Sequence, residues 1–189
     1  MNDITIEIIE DGNIEQCRDL CNELMAFQKS KAVIALEAFD LMNFDTRMKK
    51  SYESALASQV IVVKDAGVPV GYCFSTLGKV DLSGAVPAWA PVDKTKKTLG
   101  FFPEWDNLPE KNGCLTNIYF RPKYRGMNLG SRLMDMAMAW FGGFPDINLV
   151  FVYISNGNNE ALDFYLKQGF KVSHEVFGGF ITAVYKYIK

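Results

Sequence analysis

Two stretches of the sequence decide its fold: residues 119–132 read YFRPKYRGMNLGSR, and residues 158–170 read NNEALDFYLKQGF. Each stretch carries the chain from an apolar run into a pattern with apolar residues three to four positions apart, which predicts a strand followed by a helix. The first helical pattern extends over about Leu129–Phe141. The apolar strand before the second stretch, 148–155, is nearly continuous, as expected when both faces are covered. The two units together indicate an α/β domain.

Further strand and helix patterns extend outward from these two stretches. Turn residues Asp65-Ala66-Gly67 separate two apolar runs and predict a hairpin, and Gly178-Gly179 predicts a tight hairpin near the end of the chain. The sequence therefore predicts a single α/β domain over residues 1–189, with a mixed, mostly antiparallel sheet flanked by helices. The predicted strands are 4–9, 59–64, 68–77, 114–120, 148–155, 170–177 and 180–188, and the predicted helices are 13–28, 44–57, 129–141 and 158–168.

Residues 78–113 interrupt this alternation and predict a long insertion between the third and fourth strands. The segment holds four of the seven prolines. Connections of this length without regular structure are uncommon in a compact domain and are usually functional or mobile. Its large aromatic side chains predict that part of it packs against the rest of the protein; they are Trp89, Phe101, Phe102 and Trp105.

Composition excludes several classes of protein. The chain has 20 basic and 22 acidic side chains and a net charge of −2, which argues against a protein that binds nucleic acid over its whole surface, and we predict no nucleic-acid partner. The four cysteines lack Cys-x-x-Cys spacing and there is one histidine, so we predict no metal site. Cys17 and Cys21 share a helix face and are expected to be small buried side chains. With no signal peptide or membrane span in the sequence, we expect a cytoplasmic protein that does not bind membranes.

The first stretch has the features of an anion site. Gly126 and Gly130 let the backbone turn sharply and approach a ligand, and the helix begins within this loop. Free N–H groups at the start of a helix bind phosphate groups. An ordinary solvated turn with surface charges is the alternative. Four cations occur here without an intervening acid: Arg121, Lys123, Arg125 and Arg132.

The second stretch places two polar side chains on one side of a helix. Asn158 and Tyr165 are seven residues apart, about two helical turns. Ligands in α/β folds bind where a helix follows the carboxyl end of a parallel strand. The alternatives are a plain helix cap for Asn158 and a half-buried core side chain for Tyr165.

Taken together, the two stretches resemble motifs A and B of the GNAT (GCN5-related) N-acetyltransferase superfamily. Motif A, Arg/Gln-x-x-Gly-x-Gly/Ala, is matched in part by Arg125-Gly126-Met127-Asn128-Leu129-Gly130. The order of predicted elements agrees with the family over nearly the whole chain apart from the insertion, and the hairpin containing Gly71-Tyr72 resembles the family's second and third strands. Motif B is matched at Asn158, Ala161, Phe164, Tyr165, Gly169 and Phe170.

This resemblance implies an N-acetyltransferase that transfers an acetyl group from acetyl-CoA to a primary amine of a small molecule or peptide, by direct attack in a ternary complex. The backbone of Ile118, Tyr119 and Phe120 would pair with the pantetheine amides. Asn158 and Phe164 would also contact the cofactor, and Tyr165 would protonate the departing thiolate. A homodimer is compatible with the resemblance. The pyrophosphate would be held by the amides of Arg125, Gly126, Met127, Asn128, Leu129, Gly130 and Ser131.

The sequence departs from the family pattern at two places. Asn128 stands where motif A has its middle glycine, although Asn tolerates a left-handed backbone better than most residues. Thr116 and Asn117 stand where many relatives carry an acid that acts as the base. Water or an acid of the insertion would then act as the base. The candidate acids are Glu104, Asp106 and Glu110.

Two other functions remain open at this stage. The first is a non-catalytic acyl-CoA-binding or interaction module on the same fold, and the second is a module that binds a phosphate ligand unrelated to CoA. His174 is expected to be structural. The insertion is expected to shape the acceptor side, whether as a lid, a substrate wall or a dimer contact, and a plain surface excursion is the alternative.

Overall fold

One mixed sheet of seven strands forms the centre of the protein in the computed structural model, which describes residues 3–83, 86–91 and 98–188. The strand order is β1-β2-β3-β4-β5-β7-β6, and β4–β5 is the parallel pair among otherwise antiparallel neighbours. The predicted mixed, mostly antiparallel sheet is therefore confirmed. The strands are β1 (Ile4–Ile8), β2 (Ala57–Asp65), β3 (Val68–Lys79), β4 (Lys111–Phe120), β5 (Leu149–Ser155), β6 (Lys171–Val176) and β7 (Ile181–Tyr187).

Four α-helices flank the sheet in the described part of the chain: α1 (Arg18–Lys31), α2 (Lys50–Ser54), α3 (Leu129–Gly142) and α4 (Asn159–Lys167). The helix predicted over 44–57 is wrong in extent. Asp45–Lys49 forms a π-helical turn, α2 ends at Ser54, and Ala57 already pairs with Leu77 in the sheet. Strand pairing overrides local helical spacing there. Short 3-10 helices add Ile14–Cys17, Leu36–Leu41 and Pro122–Tyr124.

Both faces of the sheet are buried, which explains why its central strands are apolar without alternation. In β2, Val60 and Val62 pack on the α1 side, whereas Ile61 and Val63 pack on the α3 side. The neighbouring face of α1 buries Leu20, Cys21, Leu24 and Met25, and Cys17, at the end of the preceding 3-10 helix, is buried beside them. Cys17 and Cys21 are thus buried on a shared face, as the sequence predicts.

The connection between β3 and β4 covers the part of the sheet that α1 leaves open. It is shorter than the predicted 78–113, because Lys79 and Lys111 still pair as strand residues. Residues 84–85 and 92–97 of this connection lie outside the described residues. The expected aromatic packing is confirmed: the ring of Phe101 is 5.0 Å from that of Tyr153 on β5, and the ring of Trp105 is 4.8 Å from that of Tyr185 on β7.

The hairpin between β6 and β7 is longer than the tight turn predicted at Gly178-Gly179. Its connection covers residues 177–180, and Phe177, Gly178 and Gly179 all have positive φ. Phe177 and Phe180 are both buried in the core on the α1 side. Burial of these two rings favours the longer connection over a two-residue turn.

The parallel strands β4 and β5 separate toward their carboxyl ends. They pair at Gly113–Val150 and Cys114–Phe151, and no further pair is formed along them within the described residues. Immediately afterwards the register of β3 and β4 shifts: Phe74 faces Asn117 and Ser75 faces Leu115, so Thr116 is an extra residue. Such a bulge bends its strand. The separation opens a cleft at this edge of β4.

Candidate functional site

A cleft of about 540 Å³ lies at the separated ends of β4 and β5, against the starts of α3 and α4. The structure brings all but one of the predicted site residues to it. The exception is Met127, whose side chain is 46% exposed and does not line the cleft. The predicted residues that line it are Ile118, Tyr119, Phe120, Arg125, Gly126, Asn128, Leu129, Gly130, Ser131, Asn158, Phe164 and Tyr165.

The free edge of β4 presents backbone groups to this cleft. The N–H of Arg121 donates to the carbonyl of Val70 on β3 at 3.0 Å. Because alternate residues of a strand point their backbone groups to opposite edges, those of Tyr119 also point toward β3, and those of Ile118 and Phe120 point toward the cleft. The Phe120 carbonyl accepts a hydrogen bond from Arg125 Nε at 3.0 Å. Of the three predicted backbone contacts, two therefore face the cleft.

The loop before α3 needs left-handed backbone at two positions. Gly126 has φ +75° and Asn128 has φ +58°, so Asn128 adopts the conformation that its side chain was expected to tolerate. Gly130 differs from the prediction, since it lies in the first turn of α3 and makes no sharp turn. A methyl group at Gly130 would lie 3.6 Å from the ring of Phe164. This glycine therefore leaves room in the cleft and does not shape the backbone.

The start of α3 offers free hydrogen-bond donors. The backbone N–H groups from Gly126 through Ser131 donate no hydrogen bond within the described part of the chain, whereas those of Arg125 and Arg132 are both paired. The first N–H groups of a helix have no intrahelical partner and carry the positive end of its dipole. This segment is suited to bind a phosphate or pyrophosphate group.

The four cations of this segment do not act together. Arg121 pairs with Glu23 on α1 at 2.8 Å, and Lys123 lies 4.0 Å from Asp65. Arg125 and Arg132 form no ion pair with another described residue. The guanidinium of Arg125 lies 4.5 Å from the ring centroid of Phe27. The tertiary structure therefore reduces the local positive charge that the sequence suggests.

Asn158 and Tyr165 both face the cleft, as their spacing predicts. Asn158 also caps α4, because its Oδ1 accepts from the N–H of Ala161 at 3.4 Å. Tyr165 is 6% exposed, and its burial raises the pKa of the phenol above the ordinary value. Its ring contacts those of Phe164 and Phe170, with centroids 5.2 and 5.7 Å away. Asn158 therefore caps its helix and Tyr165 packs in the core, and both side chains also line the cleft.

The acids proposed from the insertion are not at the cleft. Glu104, Asp106 and Glu110 are exposed and do not line it. Among the described residues the acid in its lining is Glu160, whose carboxylate accepts from Lys31 Nζ at 3.4 Å. His174 also lies elsewhere, with its two ring nitrogens hydrogen-bonded to the Ser173 hydroxyl and the Gly100 carbonyl.

Five cleft residues were not predicted from the sequence as site residues, although Ala161 was matched as part of motif B: Leu24, Phe27, Tyr124, Glu160 and Ala161. Leu24 and Phe27 lie within the helix that the sequence predicts over 13–28. Nothing in their spacing separates a helix side chain that packs on the core from one that also borders a cleft. Glu160 follows Asn158 closely in the second stretch. This proximity was the sequence signal that could have identified Glu160 as a site residue.

A second, much smaller cavity of about 20 Å³ lies on the opposite face of β4 and β5. Its walls come from α1, the π-helical turn, the connection before β4, strands β4, β5 and β7, and the β6–β7 connection. No local pattern predicts it, because these segments are far apart in sequence. Its lining includes Arg47, Trp89, Thr116, Asn117 and Ser155.

The part of the chain described by the structure contains no helix long and apolar enough to cross a membrane. The same residues contain no group of three or more His, Cys, Asp or Glu side chains placed to hold a metal ion.

Comparison with known proteins identifies the family. The model of the acetyltransferase (GNAT) family matches residues 23–170, which include the cleft-lining segments of α1, β4, α3 and α4. A search of curated proteins found no match.

Solved structures share the fold over nearly the whole chain. One is the PaiA N-acetyltransferase from Thermoplasma acidophilum in complex with coenzyme A, with 14% identity, a TM-score of 0.63 and coverage of 97% of this chain and 99% of that one. Another is Naa50 from Arabidopsis thaliana in complex with a bisubstrate analogue of CoA, with 15% identity, a TM-score of 0.59 and 97% coverage of both chains. A third is a putative acyl-CoA N-acyltransferase from Klebsiella pneumoniae, with 14% identity, a TM-score of 0.59 and 98% coverage of both. At these identities the likeness shows the fold.

Proposed function

Because the chain belongs to the GNAT acetyltransferase family, we propose that it transfers an acetyl group from acetyl-CoA to a primary amine of a small molecule or peptide. One observation carries this proposal. A run of unpaired backbone N–H groups, the free edge of β4 and the hydroxyl-bearing side chain of Tyr165 line one continuous cleft.

The residues of the cleft fit CoA. The N–H groups from Gly126 through Ser131 would hold the pyrophosphate, supported by the positive end of the α3 dipole. The outward backbone groups of Ile118 and Phe120 would pair with the pantetheine amides as a further strand would. The Nδ2 group of Asn158, whose Oδ1 is used as the cap, would face the same arm. Bound acetyl-CoA supplies an acetyl thioester, which the acceptor amine attacks.

Tyr165 is the proposed proton donor to the thiolate. Burial favours the neutral phenol, so Tyr165 holds its proton throughout the physiological pH range. The same apolar surroundings would raise the pKa of a thiol formed beside it, which favours protonation of the departing thiolate. The hydroxyl makes no hydrogen bond to another described residue, so it is available to a ligand.

The acceptor must lose a proton before it attacks, since an alkylammonium has an ordinary pKa of about 10. Glu160 borders the outer part of the cleft and is exposed. We therefore propose that water accepts this proton. The side of the separated strands on which the second cavity lies is the proposed approach for the acceptor.

A thermal-stability assay combined with thiol release tests the proposal. CoA should raise the Tm more than pantetheine does, because only CoA carries the pyrophosphate. Acetyl-CoA should release free thiol when amino acids, polyamines, aminoglycosides or peptides are added. CoA binding without thiol release across this panel would favour a non-catalytic acyl-CoA-binding module. No Tm increase with CoA would favour a module for an unrelated phosphate ligand.

The proposed place of action is the cytoplasm. All four cysteines are free, and Cys17, Cys21 and Cys73 are buried. Reduced thiols are typical of the cytosol.

A further inference from the structure

Arg47 lies in the small cavity on the face of the sheet opposite the proposed CoA cleft. It belongs to the π-helical turn Asp45–Lys49, and its guanidinium carbon lies 4.4 Å from the ring centroid of Trp89. Stacking on an aromatic ring occupies a face of the guanidinium and leaves its in-plane N–H donors free for a planar anion. Arg47 thus presents a fork of donors in a partly aromatic pocket.

Among the residues that the structure describes, these donors have no acidic partner. The Nε of Arg47 is buried without a hydrogen bond, and no carboxylate of the described residues forms an ion pair with it. The groups that act on its charge are Cys21, Tyr72 and Cys114, which are neutral at ordinary pH. An arginine keeps its charge in proteins, and although Arg47 as a whole is half-buried, its Nε donor is buried and an unpaired buried donor is unfavourable. The arrangement therefore favours an anion as the partner of Arg47.

A second orphaned polar atom lines the same cavity. Ser155 Oγ is buried and has no hydrogen-bond partner in the described part of the chain. The amide side chain of Asn117 and the hydroxyl of Thr116 also border the cavity, and the ring of Phe180 belongs to its apolar wall. Buried polar atoms in native proteins normally have partners, so two orphans in one cavity indicate a missing ligand group.

Size and position define that group. A cavity of about 20 Å³ admits a group little larger than one water molecule, which favours a planar carboxylate over a phosphate or sulfonate. An Arg and a carboxylate match each other with two parallel hydrogen bonds. Thr116 and Asn117 of the cavity directly precede Ile118 of the cleft on β4. A carboxylate held at Arg47 would therefore keep an attached amine close to the opening between β4 and β5.

We propose that Arg47 binds a carboxylate of the acceptor, so that the preferred acceptor is an amino acid or another small amino carboxylate. This inference rests on the proposed acetyl transfer and narrows its substrate class. Trp89 holds the guanidinium in place, and the hydroxyl of Ser155 donates to the bound carboxylate. The distance between this carboxylate and the opening between β4 and β5 then determines which amine of the acceptor can reach that opening.

The test compares each amino acid with its own carboxamide, which has the amine but no carboxylate. At saturating acetyl-CoA, thiol release gives kcat and KM for both. The wild type should show a KM about 10-fold or more lower for the best acid than for its carboxamide. Arg47→Met should raise the KM for the acid by about 10- to 100-fold, as expected for a charge-assisted hydrogen bond, and leave the carboxamide unchanged.

Lys49→Met is the matched control, because it removes a cation from the same turn at an exposed position. It should leave both KM values unchanged. Arg47→Lys keeps the charge and loses the two-pronged geometry, so it should fall between wild type and Arg47→Met, and it provides a second variant if Arg47→Met does not fold. A structural role alone would lower the Tm of Arg47→Met without changing the preference between acid and carboxamide, and that result would overturn the inference.

A binding measurement separates this inference from the proposed function. Phenylacetate, a carboxylate without an amine, should raise the Tm of the CoA-loaded wild type, whereas phenylacetamide should not. Arg47→Met should abolish the increase. Turnover with equal KM values for acid and carboxamide would overturn the carboxylate site and leave acetyl transfer standing. If no amine is acetylated, acetyl transfer fails, and the absence of a phenylacetate-dependent Tm increase would overturn the carboxylate site as well.

Discussion

Tyr165 combines a core position with a place on the cleft. Its ring is packed between those of Phe164 and Phe170, which fixes its direction, while its hydroxyl makes no hydrogen bond to another described residue. Packing that holds an aromatic ring this firmly limits where its hydroxyl can point. The one side chain can therefore belong to the core and still act on a ligand.

Tyr165→Phe removes the proposed proton donor and little else. We expect kcat to fall by about 100-fold, at the lower end for loss of a general acid, with the Tm and CoA affinity nearly unchanged. Steady-state kinetics and a CoA titration check this. Tyr187→Phe, at an exposed tyrosine of β7, is the control and should behave as wild type. An unchanged kcat in Tyr165→Phe would remove Tyr165 from the mechanism.

Gly130 matters for the space that it leaves in the cleft and not for its backbone conformation. Because Gly130 is helical, Gly130→Ala should leave the free energy of unfolding unchanged or increase it by up to about 1 kcal/mol. Its methyl group would enter the lining beside Phe164 and should weaken CoA binding by several-fold. Urea denaturation and a CoA titration measure the two effects.

Gly142→Ala supplies the comparison for Gly130→Ala. It changes a glycine at the other end of α3, where a methyl group meets nothing within 4 Å. It should leave CoA affinity at the wild-type value. Equal affinities in both variants would show that the space at Gly130 is not used by CoA.

At the scale of elements, the connection from β5 to α4 depends on a close backbone approach. Gly157 has φ +75°, and a methyl group there would lie 1.9 Å from the carbonyl oxygen of Lys31 at the end of α1. The side chain of the adjacent Asn156 accepts from the N–H of Ile34 and donates to the carbonyls of Ile34 and Phe180. These contacts place the start of α4, and with it Asn158, on the cleft.

Gly157→Ala should therefore destabilise the protein by about 2–4 kcal/mol, from left-handed strain plus the backbone clash. Gly67→Ala introduces the left-handed strain alone, because Gly67 has φ +80° and open space around it. It should lower the free energy of unfolding by about 1 kcal/mol. Urea denaturation of both variants checks the difference. Similar losses in the two variants would contradict the importance of the contact with Lys31.

At the scale of the whole molecule, the long connection before β4 covers the part of the sheet that α1 leaves open. Its rings cover β5 and β7 on the α1 side, and Trp89 closes the small cavity over Arg47. His174 on β6 ties the connection down, since its Nε2 donates to the Gly100 carbonyl at 2.9 Å. A neutral imidazole that donates from Nε2 accepts at Nδ1, here from the Ser173 hydroxyl.

This attachment predicts a pH dependence of stability. Burial lowers the pKa of His174 below its ordinary value near 6.5. Below that pH the unfolded chain binds a proton more readily than the folded protein, so the free energy of unfolding falls as the pH decreases from about 6.5 toward the folded-state pKa. Urea midpoints at pH 7.5, 6.5 and 5.5 should show this decline.

His174→Gln is the variant for that measurement, because His174 is the one histidine in the sequence. It should remove most of the decline between pH 7.5 and 5.5 while costing some stability at pH 7.5. A decline that persists unchanged in this variant would assign it to other groups.

Through its resemblance to the GNAT motifs, the sequence indicated twelve of the residues on the larger cleft. By itself it determined the order of the elements and the strand–loop–helix units. These follow from local physics: apolar spacing sets the elements, and Gly126 and Asn128 supply the left-handed backbone of a loop that precedes a helix. Asn158 and Tyr165 share a side because helical geometry fixes their relation over two turns.

Only the tertiary structure decided what depends on contacts between distant segments. It placed β7 between β5 and β6, shortened the helix predicted over 44–57, and paired Arg121 with Glu23. It also gathered Arg47 with Trp89 and Ser155 around one cavity. Chain spacing carries no information on such pairings, because sheet order, charge pairing and cavity walls are set by the packing of segments far apart in sequence.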